Sequence, residues 1–209
     1  MTDFSRLTLD AFLGALAAET PTPGGGTAAA TAGAMGAALA EMVSALTLSK
    51  EKYAASHDAV RPIREAAGAA RAELLGLARE DSEAYDEVVA ARKLPTETDE
   101  QKAARAERIA RANRRAADVP MRTARAAVRL LGALPELVEK GNPNAASDVG
   151  ASALLLDACA EGALLNVGIN LSGIDDPAVV AELQKETAVL QEESGRLRSQ
   201  VVALVRKRF

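Results

Sequence analysis

One aspartate of this 209-residue chain lies where a charged side chain is unexpected. Asp81 falls within a predicted helix, on the face that otherwise carries apolar residues at helical spacing. That face comprises Leu74, Leu77, Ala78, Tyr85 and Val88. A buried carboxylate costs several kcal/mol unless it is paired or neutralised, and burial raises its pKa toward the range useful for proton transfer. Asp81 is therefore a candidate general acid or base. The alternative is a structural acid bonded to Tyr85 or to an arginine of the next helix.

A proline- and glycine-rich segment ahead of another predicted helix could hold an anion. Residues 21–27 read PTPGGGT, in which Gly24, Gly25 and Gly26 give a backbone that can turn tightly and approach a ligand closely. The first N–H groups of the following helix and the positive end of its dipole would face a carboxylate or phosphate placed there. The Walker consensus is absent and no strand precedes the segment, which excludes the common nucleotide-binding loops. The alternative is a turn whose glycines only let two helices touch.

Two asparagines, Asn166 and Asn170, lie four residues apart on one face of a predicted buried helix. Their amides could fix a polar heterocycle as donors and acceptors together, or they could form hydrogen bonds between helices. Asp148 stands 18 residues before Asn166, on the same side of that helix but about 27 Å away along its axis. If both contact ligand, either the site is assembled from two chains or the ligand is long.

Other candidate groups favour structural interpretations. Cys159 lies in the predicted buried helix and is interpreted as a small core residue. The single cysteine and the single histidine exclude a disulfide and any zinc site built on paired cysteines or histidines. Five arginines recur in the predicted fourth helix, where interleaved acidic residues favour a solvated face over capture of a polyanionic tail. They are Arg105, Arg108, Arg111, Arg114 and Arg115.

The elements that must position these residues are helices. Alanine, the best helix former, is abundant, and aromatic residues make up only 2% of the chain. Apolar periodicity with proline and glycine breaks predicts six helical segments. They run over about residues 8–18, 27–49, 56–92, 99–134, 145–171 and 177 to the C-terminus, and Pro120 is expected to kink or divide the fourth.

These segments predict one all-α domain over residues 1–209, an antiparallel bundle of about six helices. Several helices are long and rich in small residues, so burial is expected to continue across a homodimer interface. The net charge of −4 and a pI of about 5.2 argue against broad binding to nucleic acid. The N-terminus lacks the plan of a signal peptide, and no uninterrupted apolar run reaches the roughly 18 residues of a membrane span. We therefore expect a cytoplasmic protein with no nucleic-acid or membrane partner.

Four segments of the chain, followed by a final amphipathic helix, resemble one known family. They are PTPGGGTAAATAGAMGAALAEMV, LSKEKY, LAREDSEAYDEVVAARKLP and GNPNAASDVGASALLLDACAEGALLNVGINL. On these segments the chain is similar to the cyclodeaminase/cyclohydrolase family of folate enzymes, across essentially its whole length. That family includes the C-terminal domain of formimidoyltransferase-cyclodeaminase and stand-alone bacterial methenyltetrahydrofolate cyclohydrolases.

The resemblance implies a fold, a substrate and a set of site residues. Members are all-helical, associate through helical dimer interfaces and act on tetrahydrofolates, often polyglutamylated. No metal, and no cofactor beyond the tetrahydrofolate substrate, is expected. The position that matches the proposed catalytic carboxylate of the family is Asp81. The positions that match its other motifs, expected to bind substrate, are Gly24, Gly25, Gly26, Lys50, Asn142, Ser147, Asp148, Asn166 and Asn170.

Two folate reactions fit these residues. In cyclodeamination, N10 of the folate attacks the formimino carbon on N5, ammonia leaves and the methenyl bridge closes. In cyclohydrolysis, water attacks that bridge carbon and the ring opens to 10-formyltetrahydrofolate. Both need one group that takes a proton from the nucleophile and returns one to a leaving nitrogen. We predict a formiminotetrahydrofolate cyclodeaminase, with the cyclohydrolase as the alternative. A non-catalytic folate-binding scaffold is the alternative of another class, and it would gain nothing from Asp81 on an apolar face.

Overall fold

The computed structural model describes residues 6–208 as a bundle of helices. This part of the chain forms seven α-helices: α1 (Leu9–Leu16), α2 (Gly25–Leu48), α3 (His57–Arg92), α4 (Asp99–Leu131), α5 (Leu134–Lys140), α6 (Ala146–Leu171) and α7 (Pro177–Arg206). Short 3-10 helices at Glu51–Ser56 and Pro143–Ala145 precede α3 and α6. Residues 6–208 contain no β-strand, and the predicted all-α class is confirmed.

Local sequence signals set several of the helix ends. Thr8 caps α1 through its side chain, and Asp176 caps α7 in the same way. Thr98 and Gln101 form a reciprocal capping box at the start of α4. The start of α2 is different, because its cap is Gly24 and no side chain of that residue can bond to the helix. The first N–H groups of α2 are therefore left for a partner from outside the helix.

Of the two effects expected of Pro120, a kink or a division of the fourth predicted segment, the structure excludes the division. Helix α4 runs through Pro120 to Leu131, and the segment breaks later, before the short helix α5. Proline has no N–H, so the carbonyl of Ala116 one turn earlier loses its helical donor. The side chain of Asn170 on α6 donates to that carbonyl instead, with Nδ2 2.6 Å from the oxygen. A hydrogen bond from a neighbouring helix thus replaces the one that proline removes.

Four long helices form the core of the bundle. Helix α2 packs against α3 and α6, helix α4 packs against the same two helices, and α7 covers α6. The side of α2 that faces the core consists largely of buried alanines and glycines. A Cβ on Gly33 would lie 2.5 Å from Cys159 Sγ, and a Cβ on Gly36 would lie 3.0 Å from the backbone oxygen of Ser152. These small residues therefore allow α6 to approach α2 closely, which fixes the two helices side by side.

The outer sides of α2 and α6 carry an exposed apolar surface. Its largest contributors are Leu165 and Ile169, with 73% and 76% of their surface exposed. Exposed apolar residues on both helices extend this surface along the bundle. We call it the apolar α2–α6 surface, formed by Met35, Met42, Leu46, Leu154, Leu165 and Ile169.

Two stretches, Gly25–Leu48 and Pro143–Leu171, are long and apolar enough to meet a length-and-hydropathy criterion for membrane spans. About half of the apolar part of each stretch is buried inside the bundle.

Candidate active site

A cavity of about 370 Å³ opens where four helices meet: the start of α2, the second half of α3, the middle of α4 and the end of α6. The sequence predicts Asp81, the three glycines of residues 24–26 and both Asn166 and Asn170 as site residues, and the structure brings them all to this cavity. The wall also includes Tyr85, Arg92 and Asn113.

Asp81 projects from α3 onto the first turn of α2. Its Oδ2 accepts a hydrogen bond from the Thr27 hydroxyl at 2.9 Å, and the Thr27 oxygen lies 3.1 Å from the hydroxyl oxygen of Ser82. Burial raises the pKa of the Asp81 carboxyl, and the side chain and backbone of Thr27 partly oppose that rise by hydrogen bonding. A carboxyl with a raised pKa exchanges protons nearer to neutral pH than an exposed aspartate does.

The structural alternative for Asp81 requires a bond to Tyr85 or to an arginine. Within residues 6–208, Asp81 makes neither, and its only side-chain hydrogen bond is with Thr27. Arginines of α4 that face α3 pair with glutamates of α3 instead, as Arg115 does with Glu83 at 3.2 Å. Oδ1 of Asp81 consequently accepts no side-chain hydrogen bond in this part of the chain.

The three glycines differ in what a side chain would meet at each position. Among the described residues no glycine has a positive φ, and Gly24 is extended at φ −121° and ψ −160°. The backbone does bend ahead of α2, since a Cβ on Gly24 would lie 3.2 Å from the Pro21 oxygen, but it does so without the left-handed conformation that glycine alone favours. A Cβ on Gly26 would lie 2.6 Å from the carboxyl carbon of Asp81, so the space beside Gly26 is filled by the chain's own carboxylate. A Cβ on Gly25 would lie 3.7 Å from Asn166 Nδ2, which is an ordinary contact.

Three asparagines on the cavity wall direct their side-chain nitrogens to backbone carbonyls. The bonds run from Asn113 to Gly173 at 2.6 Å, from Asn166 to Gly162 at 2.8 Å and from Asn170 to Ala116 at 2.6 Å. Because a carbonyl only accepts, these bonds fix which end of each amide is the nitrogen. The three side-chain oxygens have no donor within residues 6–208. Each amide therefore keeps its oxygen as an acceptor and one N–H as a donor, in keeping with the mixture of donors and acceptors that the sequence suggests.

Sequence reasoning missed three polar residues of this region: Thr27, Ser82 and Asn113. Thr27 ends the PTPGGGT segment, and Ser82 directly follows Asp81, so both could be found by asking which hydroxyl groups adjoin the predicted site. Asn113 is only 9% exposed and lies on the buried side of α4. Asn113 could be found in the sequence as a polar side chain among the small residues of that face of the helix.

Four predicted binding residues lie elsewhere, near the opposite end of the α2–α6 pair. Asn142 is 5% exposed, and its side-chain oxygen accepts a hydrogen bond from the Tyr53 hydroxyl at 2.9 Å. Lys50 and Ser147 are exposed, and Asp148 is half-buried in the first turn of α6. None of the four lines the Asp81 cavity, so within one chain the structure does not bring the two groups together.

The remaining candidates have structural roles. Arg111 pairs with Glu107 at 2.7 Å and Arg114 with Asp176 at 3.5 Å, an arrangement in keeping with a solvated and paired face. Burial raises the pKa of the Cys159 thiol to about 12, which keeps it protonated at neutral pH. In residues 6–208 no three His, Cys, Asp or Glu side chains are grouped so that they could hold a metal ion.

The fold is that of a folate-acting enzyme. The crystal structure of formiminotetrahydrofolate cyclodeaminase from Thermotoga maritima matches it with a TM-score of 0.87 and 32% sequence identity, over 97% of this chain and 98% of that one. The sequence model of the family described as Formiminotransferase-cyclodeaminase matches residues 8–189. The chain therefore belongs to this family, and the resemblance found in its sequence is confirmed.

Two relatives place it within the family. The methenyltetrahydrofolate cyclohydrolase of Methylorubrum extorquens is 41% identical over 201 residues, which cover 96% of this chain and 97% of the relative. The formimidoyltransferase-cyclodeaminase of Gallus gallus is 32% identical over 200 residues, but these cover only 37% of that longer protein. The chain thus spans about a third of the length of the bifunctional relatives it matches.

Proposed function

We propose that the chain hydrolyses 5,10-methenyltetrahydrofolate to 10-formyltetrahydrofolate. The observation that carries this proposal is the Asp81 carboxyl: its pKa is raised by burial, one oxygen is bonded to Thr27, and it lies on the wall of a cavity. The 41% identity to a cyclohydrolase over nearly its full length favours water as the nucleophile. Cyclodeamination, which the sequence analysis preferred, becomes the second candidate and is favoured by the likeness to the Thermotoga enzyme.

In the proposed reaction Asp81 acts first as a base and then as an acid. Its carboxylate takes a proton from the water molecule that attacks the methenyl carbon. The bond from that carbon to N5 then breaks, the hydroxyl proton of the intermediate leaves as the formyl C=O forms, and Asp81 returns a proton to N5. One proton is released overall, which balances the loss of the positive charge. A general acid–base group of this kind contributes about 10²–10⁴-fold to a rate.

The cavity suits a cationic reactant that is rich in N–H donors. An ionised Asp81 stabilises the delocalised positive charge of the methenyl group. The side-chain oxygens of Asn113, Asn166 and Asn170 can accept hydrogen bonds from N–H groups of the reduced pterin ring. Arg92 lies on the wall and can meet a carboxylate of the glutamate tail. The reaction as proposed uses no metal and no cofactor beyond the folate itself, and it would take place in the cytoplasm.

We further propose that two copies of the chain associate through the apolar α2–α6 surface. Ile169 belongs both to this surface and to the cavity wall, so a second copy seated there would also enclose the site. A two-fold axis crossing α6 near its middle would bring the Asp148 end of one copy toward the cavity of the other. This arrangement would explain how family motif residues about 27 Å apart on α6 could act on one ligand.

The dimer is tested by light scattering, which should give about twice the 21.7 kDa mass of the chain. Replacing the exposed Leu165 with Glu should give a folded monomer, because a charge would be buried at the interface. A wild-type mass of one chain at micromolar concentration contradicts the proposed association.

The reaction is tested by incubating the purified protein separately with 5,10-methenyltetrahydrofolate and with 5-formiminotetrahydrofolate while the methenyl absorbance is followed. A cyclohydrolase removes the absorbance in the first mixture and forms 10-formyltetrahydrofolate. A cyclodeaminase instead generates the absorbance in the second mixture and releases ammonia. If neither mixture reacts faster than without protein, both reactions are excluded and the scaffold alternative is favoured.

A further inference from the structure

Three side chains from two helices form a hydroxyl chain that ends on the Asp81 carboxylate. Thr27 of α2 has no exposed surface, and Ser82 of α3 is 4% exposed. The Thr27 hydroxyl is bonded to Asp81 Oδ2 at 2.9 Å and is 3.1 Å from the Ser82 hydroxyl. Buried hydroxyl groups in such an arrangement can take only a few orientations.

The direction of the two hydrogen bonds follows from the number of hydroxyl protons that are available. An ionised carboxylate only accepts, so Thr27 uses its single hydroxyl proton on Oδ2. The oxygen of Thr27 then has no proton left for Ser82, and Ser82 must be the donor in their bond. Ser82 therefore donates to Thr27, and Thr27 donates to Asp81. As a result Oδ2 of the carboxylate accepts a hydrogen bond from a side chain, whereas Oδ1 does not.

We propose that Thr27, supported by Ser82, is a positioning residue that makes Oδ1 the proton-exchanging atom of Asp81 and keeps Oδ2 as a fixed acceptor. The proposal rests on the catalytic role of Asp81 proposed above. A proton taken from the attacking water adds to Oδ1, which no side chain in residues 6–208 occupies, and it leaves from the same atom to N5. Without the Thr27 hydroxyl, only the backbone of residue 27 would still bond to the carboxyl group, Oδ2 would no longer be fixed as an acceptor, and either oxygen could carry the proton.

Few charges surround the carboxyl group, so its titration can be followed without interference. The titratable or charged groups on the described cavity wall are Asp81, Tyr85 and Arg92, all from α3. The adjoining parts of α2, α4 and α6 contribute only uncharged residues to that wall. Glu80 and Glu83, which flank Asp81 on α3, are ion-paired with arginines of α4.

The experiment compares Thr27→Val, Thr27→Ser and Ser82→Ala with the wild-type protein. Valine keeps the size of Thr27 but cannot donate, so turnover should fall about tenfold, the scale of a hydrogen bond to a charged group, while KM stays within about twofold. The pKa of Asp81 should rise, which moves the acidic limb of the kcat profile to higher pH. Thr27→Ser should restore both quantities, and Ser82→Ala should shift them in the same direction by less.

A matched control is Thr123→Val, which also replaces a buried threonine but one that is bonded only to its own helix at Val119. It should leave the pH profile unchanged. A direct measurement that needs no activity is the carboxyl ¹³C titration of Asp81, assigned by its absence from Asp81→Asn.

The outcomes separate this proposal from the proposed function. If Asp81→Asn is inactive while Thr27→Val has the turnover and the Asp81 titration of the wild type, the positioning role is overturned and the catalytic role stands. Equal losses in Thr27→Val and Thr27→Ser with no change of titration also overturn it, because they indicate packing. If the wild type acts on neither folate, the proposed function fails, whereas the titration still decides whether Thr27 controls the carboxyl.

Discussion

The two ends of the α2–α6 pair differ in the surroundings of their polar side chains. At the cavity end, Asp81 and Asn166 each use one atom for bonding within the protein and leave another free. At the opposite end, the side-chain oxygen of Asn142 is bonded to Tyr53 and is almost fully buried. Both ends match motifs of the family, and Lys50, Ser147 and Asp148 at the opposite end also have no side-chain hydrogen bond or ion pair within residues 6–208. What distinguishes the first end is the cavity, whose wall carries a buried carboxyl group with a raised pKa. A match to a family motif therefore identifies candidate positions, and the structure shows which of them share a cavity with an ionisable group.

The largest expected effect at the cavity end comes from Asp81→Asn. Asparagine has nearly the same shape but cannot exchange the proton, so turnover should fall about a hundredfold or more while the protein stays folded and still binds tetrahydrofolate. Steady-state kinetics and a folate-binding titration check this. Turnover close to that of the wild type would show that Asp81 takes no part in the mechanism. The cavity end would then differ from the opposite end only in shape.

The control for this variant is Asp86→Asn on the same helix. Asp86 is exposed, whereas Glu83 of the same helix is half-buried and paired with Arg115. Asp86→Asn should therefore be nearly silent, while a change at Glu83 would also disturb the packing of α3 against α4.

A pair of glycine variants gives the next largest effect. In Gly26→Ala the new methyl group would overlap the Asp81 carboxyl, so the carboxylate must move and turnover should fall about tenfold or more. In Gly25→Ala the methyl group would make an ordinary contact at 3.7 Å from Asn166, so activity should remain within about twofold. Kinetics of both variants, with circular dichroism to verify folding, test whether the glycine segment serves Asp81. Equal effects would indicate that it does not.

Asn166→Ala should affect binding more than chemistry. The variant loses an acceptor on the cavity wall, while the Nδ2 bond it gives up goes only to Gly162 of its own helix. We expect KM to rise about fivefold, which corresponds to the loss of one net hydrogen bond, while kcat changes little. Asn170→Ala is the comparison, since it also leaves the Ala116 carbonyl without a donor and should lower the melting temperature. An unchanged KM in Asn166→Ala would assign Asn166 to structure.

At the opposite end, Asp148→Asn should have a small effect. Asp148 lies in the first turn of α6, outside the Asp81 cavity of its own chain, and in the proposed dimer it would act in binding rather than in proton transfer. We therefore expect kcat to stay within about twofold and KM to rise about threefold at most. A loss of turnover comparable to that of Asp81→Asn would contradict the contrast drawn here. If that loss also appears in the monomeric Leu165→Glu variant, a site shared between two copies would explain it.

The smallest expected effect concerns stability and pH. Because burial raises the pKa of Asp81 in the folded state, ionisation of this group opposes folding. Its contribution is most favourable below the unfolded pKa and is lost as the pH rises through the folded pKa. Asp81→Asn should therefore melt at a slightly higher temperature than the wild type at neutral pH, and the difference should shrink as the pH is lowered to about 4. Melting curves of both proteins at several pH values test this. A difference in melting temperature that stays constant with pH, or that has the opposite sign, would contradict it.

The sequence predicts the helices well because their signals are local. Helix α6 is expected over residues 145–171 and found at Ala146–Leu171, and α4 begins as predicted at Asp99. That α4 is not divided at Pro120 has a tertiary cause, since the bond that compensates for proline comes from Asn170, 50 residues later. Long-range contacts of this kind have no local signature.

The same distinction holds for the site. Asp81 is predictable because a carboxylate interrupts an apolar face, and that pattern lies within one helix. The reason for Gly26 and the role of Thr27 depend on how closely α3 approaches the start of α2, which no spacing along the chain contains. Which amide atom of Asn166 faces the cavity likewise depends on a carbonyl whose position only the fold determines.

The bond between Asn170 and Ala116 also fixes how far α6 can slide along α4. Pro120 leaves one carbonyl in the middle of α4 without its helical donor, so only one axial position of α6 satisfies both that carbonyl and the Asn170 amide. A shift by one turn, about 5.4 Å, would leave both groups unpaired. Pro120 is buried and does not line the cavity, yet it specifies the register of the helix that carries the amide wall. The depth of the cavity is thereby set by a residue that no ligand would touch.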